Sequence, residues 1–275
     1  MRTFVERFEN RLKEKNSILC VGLDPALPEQ RDQNTIPVQY VDKGCDSDLR
    51  LNFCLDLLDL VADFCVAAKP NEQYLRGFTS KQHQKLADSI RDHGLISIYD
   101  CKLGDIGGSV KSALFHYHKW GYDAITLNPL PGNLQQVTEA AHNYQPQIGI
   151  IALALMSNPE AKKFFITAKI NRMSLYQKIA EDVGTFNADG CVVGVANHIT
   201  ENHIRRIRKI IGADKLLLIP GVGVQGGDPL KAINGGGQNI VINVGRDLIY
   251  SNNPRSTAEK YCSMFNASRT IKGSA

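Results

Sequence analysis

The sequence predicts an α/β protein folded as a single closed (β/α)8 TIM barrel, with an extra N-terminal helix and an insertion after the first strand. Three observations predict it. Short, nearly continuous apolar runs alternate eight times with segments of helical periodicity, as expected of parallel strands buried on both faces. Polar residues recur where those runs end, at Asp24, Lys69, Asp100 with Lys102, Asn128, Ser157, Gln225 and Arg246. The C-terminal strand edge is where a barrel assembles its site. The length of 275 residues also suits one barrel of about 250 residues with additions. No repeat, low-complexity tract or linker divides the chain, so residues 1–275 read as one domain.

The elements follow in order. Residues 1–15 are charged and amphipathic, with Phe4, Val5, Phe8 and Leu12 at helical spacing. Residues 17–23 form the first strand, ending in Asp24-Pro25. Residues 26–48, with Pro28, Pro37 and Gly44, are too irregular for a core element and read as the insertion. Residues 51–63 are helical by their leucine spacing, and 64–68 are strand two, ending in Lys69-Pro70-Asn71. Helix 80–93 leads to strand three at 95–102, helix 110–120 to strand four at 124–127, and helix 133–142 to strand five at 147–155. Residues 159–172 make a long connection for a barrel loop. Helix 174–185, strand six at 191–195, helix 200–211 and strand seven at 216–220 come next. A short helix after Asp228, strand eight at 239–244 and helix 254–265 complete the pattern.

Composition narrows the function. A net charge of +4, with Lys and Arg spread along the chain, gives no reason to expect nucleic-acid or membrane partners, but it suits small anionic molecules. Seven cysteines without a Cys-x-x-Cys pair point to reduced thiols in the cytoplasm. The N-terminal segment lacks the apolar core of a signal peptide, and no run approaches the roughly 20 residues that span a membrane. No His pair has ligand spacing near a carboxylate, so no metal site is expected.

The third strand carries the densest chemistry, Asp100-Cys101-Lys102-Leu103-Gly104-Asp105. Strand alternation points Asp100 and Lys102 to one face and turns Cys101, read as structural, to the other. A Lys held between two carboxylates stays protonated and is a fixed cation and a potential proton donor. A structural ion pair, followed by an Asp that N-caps the next helix, satisfies the same pattern. Gly221-Val222-Gly223-Val224-Gln225-Gly226-Gly227 after strand seven and Gly245-Arg246 after strand eight occupy the two loops from which barrels often build a phosphate site. Glycines let backbone N–H groups approach an anion, and Arg grips phosphate bidentately. Gly221, Gly223 and Gly226 also spell Gly-x-Gly-x-x-Gly, but the following strand ends in Gly245-Arg246-Asp247 without the acidic residue that a dinucleotide requires.

Asp100-x-Lys102-x-x-Asp105-Ile106, followed by Gly107-Gly108-Ser109, resembles the signature of the orotidine 5′-phosphate decarboxylase family. Ser109 stands where the family usually has Thr and keeps the hydroxyl. The resemblance runs over nearly the whole chain, and the insertion with Lys69-Pro70-Asn71 is similar to the longer, second type of the family. It implies that Gln225 and Arg246, with Gly245, hold a substrate phosphate. It further implies that Asp24 and Lys69 bind the ribose, and that Ser157 of Met156-Ser157-Asn158-Pro159 contacts the pyrimidine. Asp100, Lys102, Asp105 and Lys69 are then the catalytic charge row. The implied reaction converts orotidine 5′-monophosphate to uridine 5′-monophosphate and CO2, the last step of de novo UMP synthesis, with no cofactor or metal. The implied assembly is a homodimer in which Asp105 and Ser109 reach the neighbour's site. A Mg²⁺-dependent sugar-phosphate relative carries the same Asp-x-Lys-x-x-Asp but has an acidic residue where this chain has Lys69. A non-catalytic phosphate-binding barrel is a further alternative, with no use for two carboxylates beside an anion.

Overall fold

Eight parallel strands close into a barrel in a computed structural model of the chain, which describes residues 2–41, 44–223 and 226–273. The strands are β1 (Leu19–Leu23), β2 (Ala67–Pro70), β3 (Ile96–Leu103), β4 (Ala124–Leu127), β5 (Gly149–Leu155), β8 (Gly190–Val193), β9 (Leu216–Pro220) and β10 (Ile240–Val244). β6 (Lys169–Ile170) and β7 (Met173–Ser174) form a small antiparallel hairpin outside the barrel. Each barrel strand pairs with its sequence neighbour, and β10 closes on β1 with Leu19 opposite Ile242. Both faces are buried, which is why the runs lack alternation: every residue of β1, β5 and β10 is buried.

The helices are α1 (Phe4–Lys15), α2 (Val38–Val41), α3 (Asp46–Val61), α4 (Ser80–Asp92), α5 (Gly107–Trp120), α6 (Leu134–His142), α7 (Leu175–Thr185), α8 (Glu201–Ile211), α9 (Pro229–Gly236), α10 (Arg246–Ile249) and α11 (Pro254–Gly273). Several bounds differ from those the sequence predicts. α3 begins before residue 51 and runs on as a 3-10 turn, Ala62–Phe64, so β2 starts after residue 64. The insertion carries a 3-10 turn at Pro28–Gln30 and the short α2. The long connection holds a π-helical turn, Lys162–Thr167, ahead of the β6–β7 hairpin. α10 follows β10 directly and has no periodicity to announce it, being four residues long.

The N-terminal end of the barrel is a sealed floor. α1 starts at a capping box between Thr3 and Glu6 and buries Phe4, Phe8 and Leu12, spaced one turn apart. Phe4 lies across the start of β5. A Cβ on Gly149 would stand 2.4 Å from its ring, so only glycine admits the helix here. Buried and half-buried charges at this end bond to backbone groups. Asp189 accepts from Ile150 N–H at 2.8 Å and from His142 Nε2 at 2.9 Å. Asp123 accepts from both the N–H and Oγ of Ser97. The Arg208 guanidinium donates to the carbonyls of Gly212, Lys215, Gly236 and Asn239. Among the described residues no helix is long and apolar enough to cross a membrane.

Forcing a methyl group against Phe4 is expected to displace α1. Gly149→Ala should lower stability by about 1–3 kcal/mol, the range for overpacked cores. Urea unfolding reads this directly, and a midpoint equal to wild type would show that Phe4 does not anchor the floor.

Candidate active site

The opposite end of the barrel gathers the titratable groups. Asp24, Lys69, Asp100, Lys102, Met156, Ser157, Gly221, Gly245 and Arg246 line one cavity of about 200 Å³, together with Thr126 and Asn243. A wider cleft of about 1220 Å³ lies at the floor between α1, α9 and α11. Its prominent cation, Arg208, is spent on backbone carbonyls, so the smaller cavity is the candidate site.

Asp100 is the hub. Lys69, at the end of β2, donates to its Oδ2 at 2.6 Å, and Lys102 donates to its Oδ1 at 2.8 Å. Burial alone would push the Asp100 carboxyl up, but the two ammonium groups outweigh it and hold the carboxyl well below its ordinary range. Lys69 shows the converse. Burial lowers its affinity for a proton, while Asp100 and Asp24 raise it further, so it stays charged. The side chains of Lys69 and Asp100 are 7% and 11% exposed, whereas that of Lys102 is 39% exposed and reaches into open space. The row thus has two buried members that fix a third, accessible cation.

β3 is irregular where it matters. Its pairing with β4 runs from Tyr99 opposite Ile125 to Leu103 opposite Leu127, so the register slips, and Lys102 adopts φ +49°. The left-handed region is unfavourable for a residue with a Cβ by roughly 1–2 kcal/mol. Asp100 and Lys102 share the cavity face as alternation predicts, and Cys101 turns away, its Sγ near the Thr126 carbonyl at 3.4 Å. Burial pushes the Cys101 thiol up to about 12, which makes it inert at neutral pH.

The glycine-rich loop after β9 folds back on itself. Gly227 N–H donates to the Gly221 carbonyl at 2.9 Å, and Gly226 N–H to that of Gly223 at 2.8 Å. Gly221, Gly223 and Gly226 all have positive φ, which turns the chain beside Arg246 at the start of α10. Gln225 lies outside the described residues.

Asp105 and Ser109 are not brought to this cavity. Both are exposed beyond the end of β3, and the Asp105 carboxylate accepts from the Ile106 N–H at 2.8 Å. Nor does Asp105 cap α5, since the N-cap position is Ile106 with no side-chain bond. Sequence reasoning passed over Thr126 and Asn243, single polar residues inside the apolar strands β4 and β10. Their position in otherwise apolar runs was the available signal. The Oδ1 of Asn243 and the Oδ1 of Asp24 are buried without a protein partner among the described residues.

A closed barrel with its charged and glycine-rich elements gathered at the C-terminal strand ends is the construction of a (β/α)8 barrel enzyme. Residues 17–261 match the model of the orotidine 5′-phosphate decarboxylase / HUMPS family, and the chain belongs to that family. It is 31% identical over 268 residues to an orotidine 5′-phosphate decarboxylase of Cupriavidus taiwanensis, covering 93% of this chain and 92% of that one. It is likewise 31% identical over 271 residues to the protein of that name in Ralstonia nicotianae, covering 93% of each. Among solved structures, a putative orotidine-monophosphate decarboxylase of Toxoplasma gondii superposes with a TM-score of 0.82 at 22% identity, covering 98% of this chain and 97% of that one, a likeness of fold.

Replacing the hub should expose its electrostatics. Asp100→Asn leaves Lys69 buried without its counter-ion and should cost about 3–5 kcal/mol at neutral pH. The contribution of a carboxylate whose folded pKa is depressed is complete above its ordinary value, near 3.8, and is lost as pH falls towards the folded value. The stability gap between wild type and Asp100→Asn should therefore narrow as pH drops below about 4. Urea melts at several pH values test this, and a gap that stays constant would contradict the coupling.

Proposed function

We propose that this chain decarboxylates orotidine 5′-monophosphate to uridine 5′-monophosphate and CO2, the last step of de novo UMP synthesis, through a carbanion at C6 and without a metal or cofactor. The observation that carries the reading is the Lys69–Asp100–Lys102 row at 2.6 and 2.8 Å, set in a cavity that Arg246 and the glycine loop also enter.

The roles follow from charge and position. Arg246, Gln225 and the N–H group at Gly245 hold the phosphate, and binding energy at that remote end favours the transition state. Asp24 and Lys69 hold the ribose, and Ser157 the pyrimidine. Asp100 stands at the substrate carboxylate, where repulsion between like charges eases as CO2 departs. The bond from C6 to the carboxylate breaks, and its electron pair stays on C6. The Lys102 ammonium stabilises that charge and gives C6 a proton, and solvent reprotonates the amine. Phosphate binding favours closure of the connection after β5 and excludes water. A Mg²⁺-dependent sugar-phosphate reaction fits this site less well, because an ammonium, Lys69, stands at the strand-two position and is committed to Asp100.

We also propose a homodimer with shared sites, of the longer, second type of the family, in the cytoplasm. Asp105 and Ser109 lie exposed outside their own chain's cavity, and Ile106 beside Asp105 is a large apolar side chain left exposed, which suits a second copy. All seven cysteines are free, five of them buried, which suits a reducing compartment.

Purified protein given orotidine 5′-monophosphate in EDTA should turn it over undiminished, read as loss of absorbance. Lys102→Ala should abolish turnover while the protein stays folded. Activity lost in EDTA and restored by Mg²⁺ would favour the sugar-phosphate reaction. A Lys102→Ala protein keeping a tenth of the rate, about 1.4 kcal/mol lost, would remove Lys102 from its role.

Shared sites have their own signature. Lys102→Ala and Asp105→Ala proteins, each inactive, should regain about a quarter of wild-type activity when dissociated and reassembled together, since half the dimers are mixed and each holds one intact site. Mixed dimers confirmed by mass but inactive would place Asp105 in its own subunit's site.

A further inference from the structure

We propose that Thr126 is a positioning residue for the reaction above, its hydroxyl locking both the Asp100 carboxylate and the Lys102 backbone. The inference rests on that reading of the site and adds a residue to it. Thr126 lies in the middle of β4 and is 1% exposed. Its Oγ1 donates to Asp100 Oδ1 at 2.8 Å and accepts from the Lys102 backbone N–H at 2.9 Å.

Both bonds answer a specific need. The slipped register between β3 and β4 gives Lys102 a side-chain acceptor where a regular ladder would supply a backbone carbonyl, and the hydroxyl fills that place. It thereby holds the left-handed turn at φ +49° that carries the Lys102 ammonium into the cavity. The same hydroxyl has one proton to give, and it gives it to the oxygen that also receives Lys102. One group thus sets the angle of the carboxylate and the origin of the lysine side chain. A catalytic pair has to be held within about 0.5 Å of its productive geometry. Lys102, the exposed member of the row, is tied down less by packing than Lys69.

Two substitutions separate this role from simple packing. Thr126→Val keeps the shape and removes the hydroxyl, whereas Thr126→Ser keeps the hydroxyl and removes a methyl. A positioning role predicts that Val lowers kcat at least 30-fold while KM changes less than threefold, because phosphate and ribose contacts remain. It predicts that Ser keeps kcat within fivefold of wild type. A residue that only fills the core gives the opposite order, with Val near wild type and Ser the more impaired, and that result overturns the proposal. Ser reduced more than tenfold in kcat also overturns it, including where Val fails to fold. Wild-type protein without decarboxylase activity in the same assay is a distinct result: it removes the reading of the site, and this role with it.

Discussion

A carboxylate taken out of water is the constraint on which the rest of the site depends. Asp100 is tolerated in the barrel because two ammonium groups and a hydroxyl satisfy its oxygens at 2.6 to 2.8 Å. Each partner comes from a different place in the sequence: Lys69 from β2, Lys102 from the kinked end of β3, and Thr126 from β4. The network is therefore a property of the closed barrel. It also makes the two lysines unequal. Lys69 is buried and committed, while Lys102 shares the same carboxylate yet faces the cavity, so the buried pair acts as a fixed field around one accessible cation.

The barrel treats its two ends differently. At the floor, Asp123, Asp189 and Arg208 each bond to backbone groups, and Asp123 and Asp189 also to the side chains of Ser97 and His142. At the other end, buried oxygens of Asp24 and Asn243 have no protein partner among the described residues, and glycines at positive φ turn the β9 loop beside Arg246. Groups prepared for a polar ligand but unmet within the protein are expected where binding takes place.

The aromatic packing behind β3 supports the same strand from outside. Tyr99, adjacent to Asp100, stacks on Tyr122 with ring centroids 4.6 Å apart. His83 stacks on Trp120 at 4.0 Å, with its Nδ1 3.0 Å from the Tyr122 hydroxyl. Burial lowers the His83 pKa to about 4, so at neutral pH it packs as an uncharged ring. The irregular end of β3 therefore rests on a rigid backing, a requirement for any strand that departs from ladder geometry.

Much of this was determined by the sequence itself. Runs such as Leu216–Pro220 and Ala124–Leu127 have the bounds expected of them, because continuous apolar character and a terminating Pro or Asn-Pro are properties of adjacent residues. Strand alternation predicts the shared cavity of Asp100 and Lys102, although the left-handed turn is what brings Lys102 there, and the grouping of Asp24, Lys69, Ser157 and Arg246 follows from their common place at strand ends. Tertiary structure alone decided the inclusion of Thr126 and Asn243 and the left-handed Lys102. It also decided that α1 closes the floor across Gly149. Each of these depends on which residue of one strand or helix lies opposite which residue of another. That register is set by closing the barrel and filling its core, and no local pattern of side chains encodes it.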